Sequence, residues 1–289
     1  MIDHAFMWID HAQRAIARML NRRGIKSRFV ETTLGKLHYY ELTGTGPRGT
    51  IVLQHGIASS GAAFAQLAQS LAMAFERVVM IEAPGHGLSE APQAGLTPDR
   101  FYEGFVQALD QVVPERFVLF GTSLGGAATL RFATTQPQRL RAAIACSPGG
   151  ATTSHEEFRE LLGSFRATTH REAITFARRL YDTPPWHLPV SAAFIGGLLR
   201  RQPILEFLQA ASANDLLDPG ALKRIAAPLL FIWGKGERLL PNKHRDFFLE
   251  HLPKHTVFEF PERYGHVPQV EHPHDLAERI VRFVSVEFT

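Results

Sequence analysis

Four short runs between residues 50 and 150 restrict the fold more than any other feature: TIVLQHG (50–56), RVVMIEAPG (77–85), RFVLFG (116–121) and RAAIACSPGG (141–150). Each is dense in Val, Ile, Leu, Phe or Ala, and each runs into Gly or Pro. A strand reads this way when both its faces are covered, as crossover helices cover a parallel sheet. The intervening segments AAFAQLAQSLAMAF (62–75), PDRFYEGFVQALDQVV (98–113) and LGGAATLRFATTQ (124–136) have helical character. Further on, PLLFIWG and TVFEFP supply two more strands, and NKHRDFFLEHL and HDLAERIVRFVSVEF two more helices. RFVETT (28–33) and KLHYYELTG (36–44) alternate, predicting an antiparallel pair at one edge. The expected class is α/β, a doubly wound and mostly parallel sheet of eight strands.

The rhythm breaks between about 150 and 220, where only helical patches occur, punctuated by DTPPWHLP (182–189). A structureless loop of that length is improbable, so this stretch is expected to be a helical cap set on the C-terminal edge of the sheet. The domain division is then 1–26 as an N-terminal amphipathic helix, 27–149 and 221–289 as the core, and 150–220 as the cap.

At 289 residues and 45% hydrophobic, the chain has material for one sizeable core. Its net charge of +3 comes without the Lys/Arg stripes of a nucleic-acid binder, so no nucleic-acid partner is expected. A single cysteine, Cys146, excludes an internal disulfide. Asp3 and Asp10 interrupt any apolar leader, and no run approaches the roughly 20 apolar residues that cross a bilayer. The expected location is cytoplasmic.

The chemistry resides in Gly121-Thr122-Ser123-Leu124-Gly125, a G-x-S-x-G sequence between an apolar strand and a helix. A serine turned sharply at that junction is sterically crowded, glycines two residues either side relieve the crowding, and its hydroxyl stands above the sheet. With this motif the chain resembles the α/β-hydrolase family from about Arg28 to the C-terminus. LQHGIASS (53–60) resembles the family's His-Gly loop, and the resemblance implies an oxyanion hole formed by the amides of Ile57 and Leu124. EAPGHGLS (82–89) resembles the loop after the next strand; His55 and His86 are read as loop-organising residues. The family's general base lies after the last strand, which points to His266 in RYGHVPQVEHP (263–273), with His272 and His274 read as helix-start residues. The acid follows the serine and precedes the histidine in chain order. Gly234, Gly236 and Pro241 frame Glu237 where the family usually has Asp. Asp215, Asp218 and Glu262 are the competing carboxylates.

The resemblance implies a serine hydrolase that cleaves carboxylic esters of small to medium acyl or aromatic groups through a Ser123–His266–Glu237 triad and an acyl-enzyme, with no cofactor and no metal. The alternatives are a C–C bond hydrolase of ring-cleavage products and a non-catalytic ligand-binding protein. Haloalkane dehalogenases and epoxide hydrolases also resemble this chain, but they attack through an aspartate, and position 123 is serine. Phe158, Phe165, Phe176, Trp186, Phe194 and Phe207 offer apolar walls for a guest. Arg178-Arg179 and Arg200-Arg201 are candidate attractors of an acidic substrate. In the N-terminal helix, Ile2, Ile9 and Ile16 with Ala5, Ala12 and Met19 form a heptad-like seam. That seam serves docking on the body of the protein, a homodimer contact or a peripheral membrane contact.

Overall fold

The structure is a computed structural model that describes residues 7–287. Ile2, Asp3 and Ala5 lie outside the described residues. Among those described are eight strands: β1 (Lys26–Thr32), β2 (Gly35–Thr43), β3 (Thr50–Gln54), β4 (Arg77–Ile81), β5 (Phe117–Thr122), β6 (Leu140–Cys146), β7 (Leu229–Ile232) and β8 (Val257–Glu259). They form one sheet in the order β1-β2-β4-β3-β5-β6-β7-β8. β1 and β2 pair antiparallel, as do β2 and β4, and the remaining pairs are parallel.

The helices are α1 (Met7–Arg22), α2 (Ala65–Leu71), α3 (Pro98–Val112), α4 (Leu124–Thr135), α5 (His155–Gly163), α6 (His170–Leu180), α7 (Leu188–Leu199), α8 (Gln202–Ala210), α9 (Pro219–Leu222), α10 (Asn242–His251), α11 (Pro268–Glu271) and α12 (Pro273–Glu287). Successive residues of the central strands feed opposite cores. Val52, Val79, Leu119, Ala143 and Phe231 pack with α3 and α4 residues such as Phe101, Phe105 and Phe132. Leu53, Met80, Phe120, Ile144 and Leu230 pack with Leu67 of α2 and with Leu276 and Ile280 of α12. Burial on both faces is the reason these strands lack polar alternation.

Helices α5 to α8 lie between β6 and β7, and the two ends of this insertion meet: Leu217 N donates to Gly150 O at 2.9 Å. The helical stretch 192–211 is not continuous. It breaks at Arg200-Arg201, because Pro203 in the first turn of α8 has no amide hydrogen with which to extend α7. Asp218 caps α9 by accepting from the Gly220 and Ala221 amides, and Asp215 accepts from Ser212, so both carboxylates are committed locally.

The helix α1 docks on its own protein. Ile9, Gln13, Ala17 and Leu20 are buried, Asp10 pairs with Arg201 at 3.2 Å, and Trp8 meets Phe194 edge-on. The buried stripe is therefore 9-13-17-20, and the expected seam is corrected: Met19 is exposed and Ile16 only half-buried. The sheet and the insertion both grip α1, which rotates it away from a strict heptad.

Candidate active site

Ser123 stands between β5 and α4 with φ +56° and ψ −120°. A non-glycine residue there is strained, and the neighbours enforce it. The Ser123 amide donates to Cys146 O at 3.1 Å on the adjoining strand. A Cβ on Gly121 would lie 2.1 Å from Gly125 O, and one on Gly125 would lie 2.3 Å from Gln54 O. Both glycines are thus required by backbone contact. Gly121→Ala is expected to destabilise the fold by about 3 kcal/mol or more, a fall of about 10 °C in Tm for a domain of this size, readable in a thermal melt.

Leu124 opens α4, and the helix leaves its amide without a partner in the first turn. The Ile57 amide finds no acceptor among the described residues, and Ala58 beside it has φ +52°. The loop that carries Ile57 is fixed from beneath. His55 donates from Nδ1 to Gly56 O (2.7 Å) and accepts at Nε2 from the Ala83 amide (3.1 Å). Those two bonds define its neutral tautomer, and burial pushes its pKa down. His86 is likewise held neutral, pushed down to about 3 by burial and by the neighbouring His55. Glu82, which sequence reasoning did not single out, accepts from His38, Gly61 and Leu88 and so ties strand β2 to the chain segments at Gly61 and Leu88. Its signal was a lone acid directly after an apolar strand.

Glu237 follows β7, and its side chain is buried completely. Its Oε2 accepts from His266 Nδ1 at 2.7 Å, and its Oε1 accepts from the Leu239 and Leu240 amides at 2.7 and 3.0 Å. Burial pushes its carboxyl up, but the His266 imidazole and these hydrogen bonds outweigh burial and hold it below its ordinary range. Arg238 turns away to Asp182, and Glu262 to Lys235. His272 bonds to Arg263 O and His274 to Ser70, so neither is near the carboxylate. The loop bearing His266 hangs on the insertion: the His266 amide donates to Leu180 O, and Glu271 accepts from both Gly265 and Asp182.

Ser123 and His266 line one cavity of about 410 Å³. No hydrogen bond joins the hydroxyl to the imidazole among the described residues. The wall is apolar, with Phe165, Phe176, Phe194 and Leu198 from the insertion, and Ile16 and Met19 from α1. The heptad pattern flagged those two α1 residues, but nothing in it pointed to a cavity. A second cavity of about 120 Å³, lined by Phe158, Leu162, Phe207 and Leu208, also reaches Ser123 and shares Ile57 and Phe165 with the first. Trp186 lines neither; it is 92% exposed, which corrects its expected role as a wall. The arginine pairs are corrected too. Arg179 binds the Arg238 and Leu239 carbonyls, Arg200 binds Ala167 and Thr168, Arg201 is tied to α1, and Arg178 is exposed. Among the described residues, no Lys or Arg lines either cavity.

A strained serine at a strand–helix turn, with a buried His–carboxylate pair across one cavity, is the architecture of a hydrolase built on a twisted parallel sheet. The model of the alpha/beta hydrolase family matches residues 51–279. The chain belongs to the alpha/beta hydrolase family. Among curated proteins, this hydrolase is similar to the 2-hydroxy-6-oxononadienedioate/2-hydroxy-6-oxononatrienedioate hydrolase of Paraburkholderia phymatum, 28% identical over 267 residues that cover 86% of this chain and 91% of that one. It is also similar to the pimeloyl-(acyl-carrier protein) methyl ester esterase of Aeromonas salmonicida, 27% identical over 262 residues, 85% of this chain and 98% of that one. In fold the hydrolase matches carboxylesterase CesB (YbfK) from Bacillus subtilis, with TM-score 0.78, 20% identity, and coverage of 96% and 98% of the two chains. It also matches a bacterial membrane phospholipase A, with TM-score 0.79, 21% identity, and coverage of 100% and 94%. No helix among the described residues is long and apolar enough to cross a membrane.

Proposed function

We propose that this hydrolase is a serine carboxylesterase for uncharged esters with an apolar group on each side of the carboxyl. The observation that carries the reading is the pair of apolar cavities meeting at Ser123, with no cation on either wall. In this reading Ser123 Oγ attacks the ester carbonyl carbon and its proton passes to His266 Nε2. Glu237 holds the Nδ1–H tautomer and stabilises the imidazolium. The carbonyl oxygen, now carrying the charge, accepts from the amides of Ile57 and Leu124. As the C–O bond breaks, the alcohol leaves with the proton from His266, and the acyl group stays on Ser123. Water, deprotonated by His266, then releases the acid and restores the serine. Helices α5 to α8 act as the cap that selects the substrate.

The C–C hydrolase reading draws on the name of the Paraburkholderia relative. The products of ring cleavage carry carboxylates, and burying one without a cation costs several kcal/mol. A series of para-nitrophenyl esters set against a dienoate ring-cleavage acid separates the two. kcat/KM is expected to rise about fourfold per added carbon from acetate into the medium-chain range, from about 0.8 kcal/mol per buried methylene. The acid is expected to be turned over at least about 100-fold more slowly. Faster turnover of the acid would overturn the esterase reading.

A further inference from the structure

The helix α1 carries more apolar surface than its docking uses. Its buried stripe is Ile9, Gln13, Ala17 and Leu20. A second stripe, Trp8, Ala12, Ala15 and Met19, follows the same three- and four-residue steps on the neighbouring face. This stripe points outward: Trp8 is 48% and Met19 43% exposed, and Ala15 is exposed as well. Bordering it on the solvent side are Arg18 and Arg22, Arg23 follows the helix, and Arg14 lies further round beside Asp10 and Ser27; all four are exposed. Among the described residues of α1 the one acid, Asp10, is already paired with Arg201. The second stripe ends at the candidate active site, because Met19 lines the larger cavity beside Val270, itself 42% exposed.

We infer that α1 seats the enzyme on an anionic lipid surface with the mouth of the larger cavity turned toward the bilayer. An amphipathic helix lies in the interface plane when an apolar strip is flanked by cations and an indole stands at the boundary. The guanidiniums of Arg18, Arg22 and Arg23 supply the charge complement. A second copy of the chain fits this face less well. The isoleucine that a coiled-coil partner would need at its centre, Ile9, is fully buried in the protein itself, and two copies would bring like charges together. Binding does not depend on the esterase reading; delivery of a membrane-borne ester to Ser123 does.

The test is flotation of the full-length protein with vesicles of phosphatidylglycerol and of phosphatidylcholine. It is expected to float with the first, and salt should release it. Each arginine near such a surface contributes about 1 kcal/mol, about fivefold, so Arg18→Gln/Arg22→Gln is expected to weaken binding about 25-fold. The same double variant should hydrolyse a soluble para-nitrophenyl ester at the wild-type rate. Ser123→Ala should float like the wild type, so a failed esterase assignment leaves this result standing. Failure to float with phosphatidylglycerol would overturn the inference. So would binding unchanged in the double variant, or a vesicle-free dimer that the double variant dissociates.

Discussion

Ser123→Ala is expected to lower kcat on a para-nitrophenyl ester by about 10⁶-fold, the scale seen when a serine nucleophile is removed from such a relay. Labelling of the protein by a fluorophosphonate should disappear with it. The variant should remain folded. Alanine at φ +56° bears the same left-handed strain as serine, and the Cys146 carbonyl still receives the residue's amide. A Tm within a few degrees of wild type, together with lost turnover, isolates the hydroxyl as the cause. Turnover within tenfold of wild type would remove Ser123 from the reaction. Wild-type protein that resists labelling would favour a ligand-binding role for the cavity.

Much of this architecture is legible in the sequence because it follows from local rules. The parallel strands announce themselves as unbroken apolar runs, since both faces are covered. The elbow at Ser123 announces itself through glycines that backbone contacts require. Where the sequence misled, the deciding contacts were distant. Arg201 looks like a free cation, but it is occupied by Asp10 and Gln13, almost two hundred positions away. Trp186 looks like a pocket wall because an indole is apolar, and no pattern within DTPPWHLP says that its ring faces solvent. Met19 reaches the cavity because the sheet and insertion together rotate α1, and a heptad count assumes a partner with its own regular seam. The Glu237 contact with His266 joins two loops 29 positions apart. Chain order made them candidates, while their proximity depends on the β7 and β8 strand ends lying side by side.

Glu237→Gln is expected to cut kcat by about 10³- to 10⁴-fold with little change in KM, the scale of an amide replacing the acid of a serine triad. The geometry gives a specific cause. The amides of Leu239 and Leu240 both donate to Oε1, so a glutamine must set its carbonyl oxygen there. Its NH₂ then takes the place of Oε2, facing His266 Nδ1. Two donors cannot face each other, so Nδ1 becomes the acceptor and the proton moves to Nε2, where a base is needed. Glu237→Asp keeps the charge and the tautomer and should retain more activity than the glutamine variant, despite the shorter reach. Acid unfolding supplies a second readout. The Glu237 carboxyl is held below its ordinary value of 4.5, so its contribution to stability is present above that value and lost as pH falls through the folded-state pKa. The wild type should therefore lose stability over that acidic window more steeply than Glu237→Gln. If the glutamine variant keeps wild-type kcat, or if Asp215→Asn or Asp218→Asn loses activity in its stead, the carboxylate beside His266 is structural and the acid lies elsewhere.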